Sequence, residues 1–291
     1  MIKDRSRAFS AGRGLKFDVS ITIAIPTEDA SEQAAVDLTG MPPWTLGLLF
    51  LAGLAGGFID AIAGGGGLIT LPALLATGMP PQMALGTNKL QSACGTATAV
   101  WRYSKAGLME TPGMGLAVGF AFFASMAGAQ AVSVLGKDFL LQLIPWLLAA
   151  VAVYTALNRR FGIETGKQKM SPWVFAVLFG IALGFYDGFF GPGTGSFWTL
   201  AVVALLGLEL RAATGYTKAA NLSSNLGSLV IFLAYGSVHF VAAGAMIGGQ
   251  LLGARLGSGL VIRKGAALIR PMFLAVVFAL TAKLLWDAWQ G

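Results

Sequence analysis

The chain has 291 residues, 56% of them hydrophobic and only 11% charged, against about 25% charged in soluble domains, so a water-soluble fold of this size is excluded. Its formal net charge of +7 does not indicate nucleic acid, because the basic residues fall between apolar stretches instead of along one amphipathic face, which is the pattern of membrane topology. A single cysteine, Cys94, excludes an internal disulfide and a cysteine-rich metal site, and any histidine-based centre would rest on His239 alone; no metal or cofactor is expected.

Residues 1–40 differ from the rest. They carry Lys3, Arg5, Arg7, Arg13 and Lys16, then Glu28, Asp29, Glu32 and Asp37. The short apolar run from Val19 to Ile25 makes a poor signal-peptide core, since no small-residue cleavage site follows it cleanly. This segment reads as a disordered extension, and Met41, directly before the first strong apolar run, is the expected functional start.

Ten apolar stretches follow, at 44–63, 68–78, 83–104, 112–135, 139–157, 172–190, 196–208, 212–235, 238–262 and 266–289. A full helical span needs ~20 residues to cross ~30 Å of hydrocarbon. The stretches 68–78 and 196–208 are too short, and each follows a glycine-rich break. The chain therefore reads as an all-α polytopic membrane protein: repeat 1 at 44–157, a basic cytoplasmic linker at 158–171 and repeat 2 at 172–289. The repeats share three motifs in order. Gly57-Phe58-Ile59-Asp60 matches Gly184-Phe185-Tyr186-Asp187. The glycine run 64–67 matches Gly191-Pro192-Gly193-Thr194-Gly195. Gly86-Thr87-Asn88-Lys89 matches Gly215-Tyr216-Thr217-Lys218. Internal duplication is the usual construction of secondary transporters.

Charge counting orients the repeats. With five elements per half, the loops of one side carry Arg102, Lys105, Arg159, Arg160, Lys167, Lys169, Arg211, Arg263, Lys264 and Arg270, and the other side has only Lys137 and Lys283. Fusing each broken pair into one span divides the same residues seven against five. The positive-inside rule favours the first arrangement. An odd number of elements per half inverts one half against the other, so inverted repeats are expected, with broken or re-entrant short helices at the centre.

Unwound backbone at membrane depth must line a cavity or be held by protein. The breaks place Gly64, Gly65, Gly66 and Gly67, and Gly193, Thr194, Gly195 and Ser196, at the starts of short helices. Unpaired N–H groups there carry the positive end of the helix dipole. Two such ends meeting at the centre make an anion site. Lys89 and Lys218 lie about seven residues inside their apolar stretches, ~10 Å deep at helical rise; a lysine there marks a partner or a path. Asn88, Gln91 and Ser92 accompany the first, and Thr217, Asn221 and Asn225 the second. Asp60 and Asp187, just before the breaks, are read as partners of the lysines, caps of the broken backbone, or carriers of a coupling proton. Arg255 is either a second anion contact or a snorkelling charge. The stripe Gly249, Gly253, Gly257 reads as helix packing, and glycine-spaced faces are also the expected surface for a homodimer. Tryptophans 44, 101, 146, 173, 286 and 289 sit near span ends, as interface belts do; Trp198, on the second short helix, is the exception.

The segment from Gly57 through Asp60 and the glycine run to Pro72 resembles the TauE/SafE family of sulfite and organosulfonate exporters. So do Thr87-Asn88-Lys89-Leu90-Gln91, the stretch Gly184 to Gly193, and Gly248 to Gly257. The resemblance covers about residues 44–289. It implies a secondary transporter in a bacterial inner membrane, usually exporting, for a small sulfur oxyanion such as sulfite, sulfoacetate or another sulfonate. It fits the residue reading, in which a compact oxyanion meets helix N-termini, lysines and amides, and alternating access moves it. Proton coupling through Asp60 or Asp187 is a further expectation. The rivals are an uncoupled anion channel and a transporter of another small organic or inorganic anion. An enzyme is not expected: Ser196 has no histidine in a matching helix, and Gly191 to Ser196 lacks the Lys-Ser/Thr ending of a P-loop.

Overall fold

The computed structural model describes residues 41–157 and 167–264. The expectations for residues 1–40, for Arg159 and Arg160, and for the tenth stretch with Arg270, Lys283, Trp286 and Trp289 lie outside the described residues. Among the described residues the chain is all helical: α1 (Pro43–Ala63), α2 (Gly67–Leu75), α3 (Pro81–Lys105), α4 (Met114–Ser133), α5 (Lys137–Leu157), α6 (Pro172–Phe189), α7 (Thr194–Ala201) continued by a π-helical turn (Val202–Leu206), α8 (Leu210–Ala234) and α9 (Phe240–Lys264). The nine described apolar stretches each form one helical element, within a few residues at each end. Proline opens α1, α3 and α6 at their first turns, where its missing N–H costs nothing.

Pro43–Ala63, Met114–Ser133, Pro172–Phe189 and Phe240–Arg263 are each long and apolar enough to cross a membrane. The 25-residue helices α3 and α8 are longer than α1, α4 and α6 but bury many polar residues: Thr87, Asn88, Lys89, Gln91 and Thr96 in α3, and Thr214, Thr217, Lys218, Asn221, Ser223, Ser224, Asn225 and Ser228 in α8. They form the interior, packed on each other. The outer helices turn large apolar side chains outward, Leu48, Phe123, Leu178 and Leu252 among them. Trp44, Trp101, Trp146 and Trp173 are exposed, while Trp198 is wholly buried against Phe175 and Tyr216. The chain is a multi-pass membrane protein.

The helices of the two halves pair reciprocally. α1 of the first half packs on α9 of the second, and α6 of the second on α4 of the first. Glycine makes both contacts possible by letting backbones touch. A Cβ on Gly249, Gly253 or Gly257 would collide with the carbonyl oxygen of Phe50, Leu54 or Phe58 respectively. Gly184 and Gly188 meet Ala121 and Ser125 of α4 in the same way. The 249–253–257 stripe is therefore occupied within the chain and offers no free face to a second copy.

Loop contacts sort the helix ends. At one end Gln82 of α3 donates to Leu135 O (2.8 Å), and Gln130 of α4 donates to Tyr235 beyond α8. His239 holds the start of α9 there: its N–H donates to Thr87 (2.8 Å), and its Nδ1 accepts from Ala242 N–H (3.1 Å), a capping role. At the other end Lys169 N–H donates to Leu205 O (2.8 Å), Leu108 lies on Gly215, and Arg102 lies on Gly259. That second end collects Arg102, Lys105, Lys167, Lys169, Arg211 and Arg263, whereas Lys137 sits at the first.

Candidate functional site

The two glycine breaks touch at the centre of the molecule. Gly64 ends α1 in the left-handed conformation (φ 74°), its N–H bonded to Asp60 O. Gly193 precedes α7, also left-handed (φ 83°). A Cβ on Gly64 would collide with the Cα of Gly195, and one on Gly195 with the Cα of Gly64. Only glycine at both places lets the halves approach so closely. Ser196 fastens the contact by donating to Ala63 O at 2.7 Å.

Each break is flanked by an ion pair that joins the halves. Lys89 Nζ of α3 lies 2.8 Å from Asp187 Oδ1 of α6, and Lys218 Nζ of α8 lies 2.9 Å from Asp60 Oδ2 of α1. The lysines, placed as anion contacts by their depth in the sequence, thus have carboxylate partners from the opposite repeat. This is the first of the three roles open to the aspartates.

The pairs are unequal. Asp187 is held on both oxygens: Lys89 and Thr194 (3.2 Å) reach Oδ1, and Ser224 donates to Oδ2. Lys89 also donates to the Asp187 carbonyl. Asp60 has Lys218 at 2.9 Å and Thr96 at 3.5 Å, both on Oδ2. Its side chain is 15% exposed, against 5% for Asp187.

A polar cavity of about 20 Å³ lies between the pairs, lined by Asp60, Gly64, Gly67, Asn88, Lys89, Ser92, Asp187, Gly191, Thr194, Gly195, Asn221 and Asn225. This is room for about one water, too little for a sulfur oxyanion. Asn88 Oδ1 accepts from Thr70 and from Gln91 (2.8 Å), which fixes the amide and leaves its Nδ2 as a donor to the cavity. Asn221 Oδ1 is buried without a partner.

Of the residues expected from sequence, Gly64, Gly67, Asn88, Lys89, Thr194, Gly195, Asn221, Asn225, Asp60 and Asp187 line this cavity. Lys218 stands behind Asp60. Gln91 supports Asn88, and Ser196 joins the breaks. Gly65, Gly66 and Gly193 shape the turns without facing the cavity. Arg255 is outside it, lining a separate cavity with Arg102 and Arg263. Ser224 is missed by sequence reasoning: a serine further along the helix from Lys218 carries no distinguishing signal, and only the fold brings it to Asp187.

The model of the family described as "Sulfite exporter TauE/SafE" matches residues 49–284. The chain is 43% identical over 246 residues to "Probable membrane transporter protein YfcA" of Escherichia coli (strain K12), covering 84% of this chain and 91% of that protein. It is 42% identical over 242 residues to a "Probable membrane transporter protein" of Haemophilus influenzae, covering 83% and 95%. A more distant relative, "Probable membrane transporter protein YdhB" of Bacillus subtilis, is 28% identical over 216 residues, covering 72% and 86%. No solved structure matches.

Proposed function

The chain belongs to the sulfite exporter TauE/SafE family of membrane transporters, and from that membership we propose that it carries a small sulfur oxyanion, sulfite or an organosulfonate, across the bacterial inner membrane. Export is the direction the family description favours. The observation that carries the substrate class is the central pair of glycine breaks with Lys89, Asn88, Lys218 and Asn221 around them, a set of donors suited to a compact oxyanion.

The proposed mechanism is alternating access between two inverted repeats. The reciprocal pairing of α1 with α9 and of α6 with α4 supports it, as does the gathering of the α3 start and the α8 start at opposite ends. In the described conformation the cavity is too small for the anion, and both lysines are paired with carboxylates. An anion enters when one half rocks, opens the space beside Gly64 and Gly195, and displaces a carboxylate from its lysine. Asp60 is the carboxylate displaced, because it has fewer partners than Asp187.

Charge counting then brings in a proton. Two lysines and two aspartates sum to zero. A monoanion added to this buried set leaves an uncompensated charge, which is expensive in low dielectric. A proton on Asp60 restores neutrality, so each monoanion moves with one proton. Lys218, Lys89, Asp187, Tyr103 and Arg102 are the charged or titratable groups around that step. An uncoupled channel fits less well, since the central cavity has a volume of only about 20 Å³, room for about one water.

Titration calorimetry of sulfite, sulfoacetate, taurine and sulfate into the purified protein tests the substrate class. Saturable binding of sulfite or a sulfonate, lost in Asn88→Leu, is expected. Binding by none of them contradicts it.

A further inference from the structure

We propose that the basic end of the molecule holds a binding site for the phosphate headgroup of an anionic phospholipid, in the cavity bounded by α1, α3 and α9. This cavity has a volume of about 540 Å³ and is separate from the central one. Arg255, Gly259 and Arg263 follow one another at four-residue spacing, so they share one face of α9. Arg102, in the last turn of α3, crosses that face at Gly259: its Nη2 stands 3.0 Å from the place a Cβ on Gly259 would take. Glycine there leaves room for the Arg102 guanidinium on the face that carries Arg255 and Arg263, and all three line the cavity.

Among the described residues these charges have no counter-ion: the only ion pairs there are the two at the centre, and Arg102 Nε is buried with no hydrogen-bond partner. Three cations on a membrane-embedded helix end call for an anion. The walls select its kind. Phe58, Leu256 and Leu260 make the rest of the lining apolar, and the outer face of α9 continues into the bilayer through exposed Leu251, Leu252 and Leu256. A small hydrated oxyanion would gain nothing from such walls. A phospholipid satisfies both parts, its phosphate taking forked guanidinium hydrogen bonds and its glycerol and acyl region lying on the leucines. Basic pockets between transmembrane helices at the positively charged side are suited to such headgroups. A lipid held there touches helices of both repeats, since α1 and α3 belong to the first and α9 to the second.

The test uses the full chain purified in uncharged detergent, with thermal unfolding followed during titration with phosphatidylglycerol, phosphatidylcholine of the same acyl chains, or inorganic phosphate. Phosphatidylglycerol should raise the unfolding midpoint, and the other two should not. Arg255→Gln/Arg263→Gln, both at exposed positions, should weaken the phosphatidylglycerol response at least about tenfold in lipid concentration, as expected for losing charge-assisted bonds. Gly259→Leu should do the same by filling the crossing point while keeping every charge. Equal stabilisation by phosphatidylcholine, equal stabilisation by inorganic phosphate, or an unchanged response in both variants would overturn the proposal. If the double variant does not fold, the count of phosphatidylglycerol retained by the wild-type protein in native mass spectrometry decides: one retained lipid that Gly259→Leu loses supports the site, and none retained overturns it.

Discussion

Lys89 of the first repeat and Asp187 of the second lie 2.8 Å apart, and the equivalent residues in exchanged order, Lys218 and Asp60, lie 2.9 Å apart. Each repeat therefore supplies the cation of one pair and the anion of the other. In the mechanism proposed above, these pairs cross the interface along which the halves move, hold the described conformation, and open when a substrate anion takes the place of a carboxylate.

Breaking the Lys89–Asp187 pair from one side should be worse than removing it. Lys89→Met leaves Asp187 charged and buried, a change of about 3–5 kcal/mol for an interior pair. A large fall in unfolding temperature and in folded yield is expected in detergent. Lys89→Met/Asp187→Leu should recover much of the stability while remaining inactive in transport. Equal instability of single and double variants would mean that the pair contributes through packing alone.

The inequality of the aspartates separates their roles. Asp60→Asn should fold and still move anion, without the accompanying proton, read by a pH-sensitive dye inside liposomes. Asp187→Asn should instead reduce folded yield, because Lys89, Thr194 and Ser224 all converge on it. Ser224→Ala should lower stability by about 1.5–3 kcal/mol, the range for a hydrogen bond to a charged group. Anion flux in Asp60→Asn that still acidifies the lumen as in wild type would remove the proton from the mechanism.

Gly64→Ala should abolish the central contact. It drives a methyl group into Gly195 Cα, backbone that cannot yield, and it places alanine at φ 74°, a further ~1–2 kcal/mol. Loss of folded protein on size-exclusion chromatography is the expected readout. Gly78→Ala serves as a control, with φ 81° but nothing within 4 Å, and it should lose only the backbone contribution.

Gly253→Leu tests the α1–α9 pairing. Its Cβ would collide with Leu54 O, so the helices must separate and the chain should unfold at lower temperature. Leu252→Ala, at the neighbouring outward position, should change stability little. Similar losses for both would place the packing face elsewhere on α9.

Much of this arrangement is legible in the order of the residues. Lipid removes most alternatives to a helix, so apolar runs become elements almost one for one, and the glycine breaks announce the two short helices. The repeated Asp60/Asp187 and Lys89/Lys218 stand out because charge inside an apolar stretch has few uses. Spacing does not reveal which lysine meets which aspartate. Within each half the two lie 29 and 31 residues apart, close enough to suggest a partner in the same repeat. Only the packing of α3 on α8 at the centre brings each lysine to the aspartate of the other half. Arg255 is ambiguous in the sequence for a related reason: its neighbours Arg102 and Arg263 come from the ends of two helices whose approach no spacing reveals.

Sulfite flux into liposomes carrying the purified protein, wild type beside Lys89→Met/Asp187→Leu, a variant expected to fold, tests whether the anion passes between the breaks. Saturable flux is expected in the wild type, competed by an organosulfonate, and none in the folded double variant. Equal sulfite flux in the two would show that the anion does not pass between the breaks.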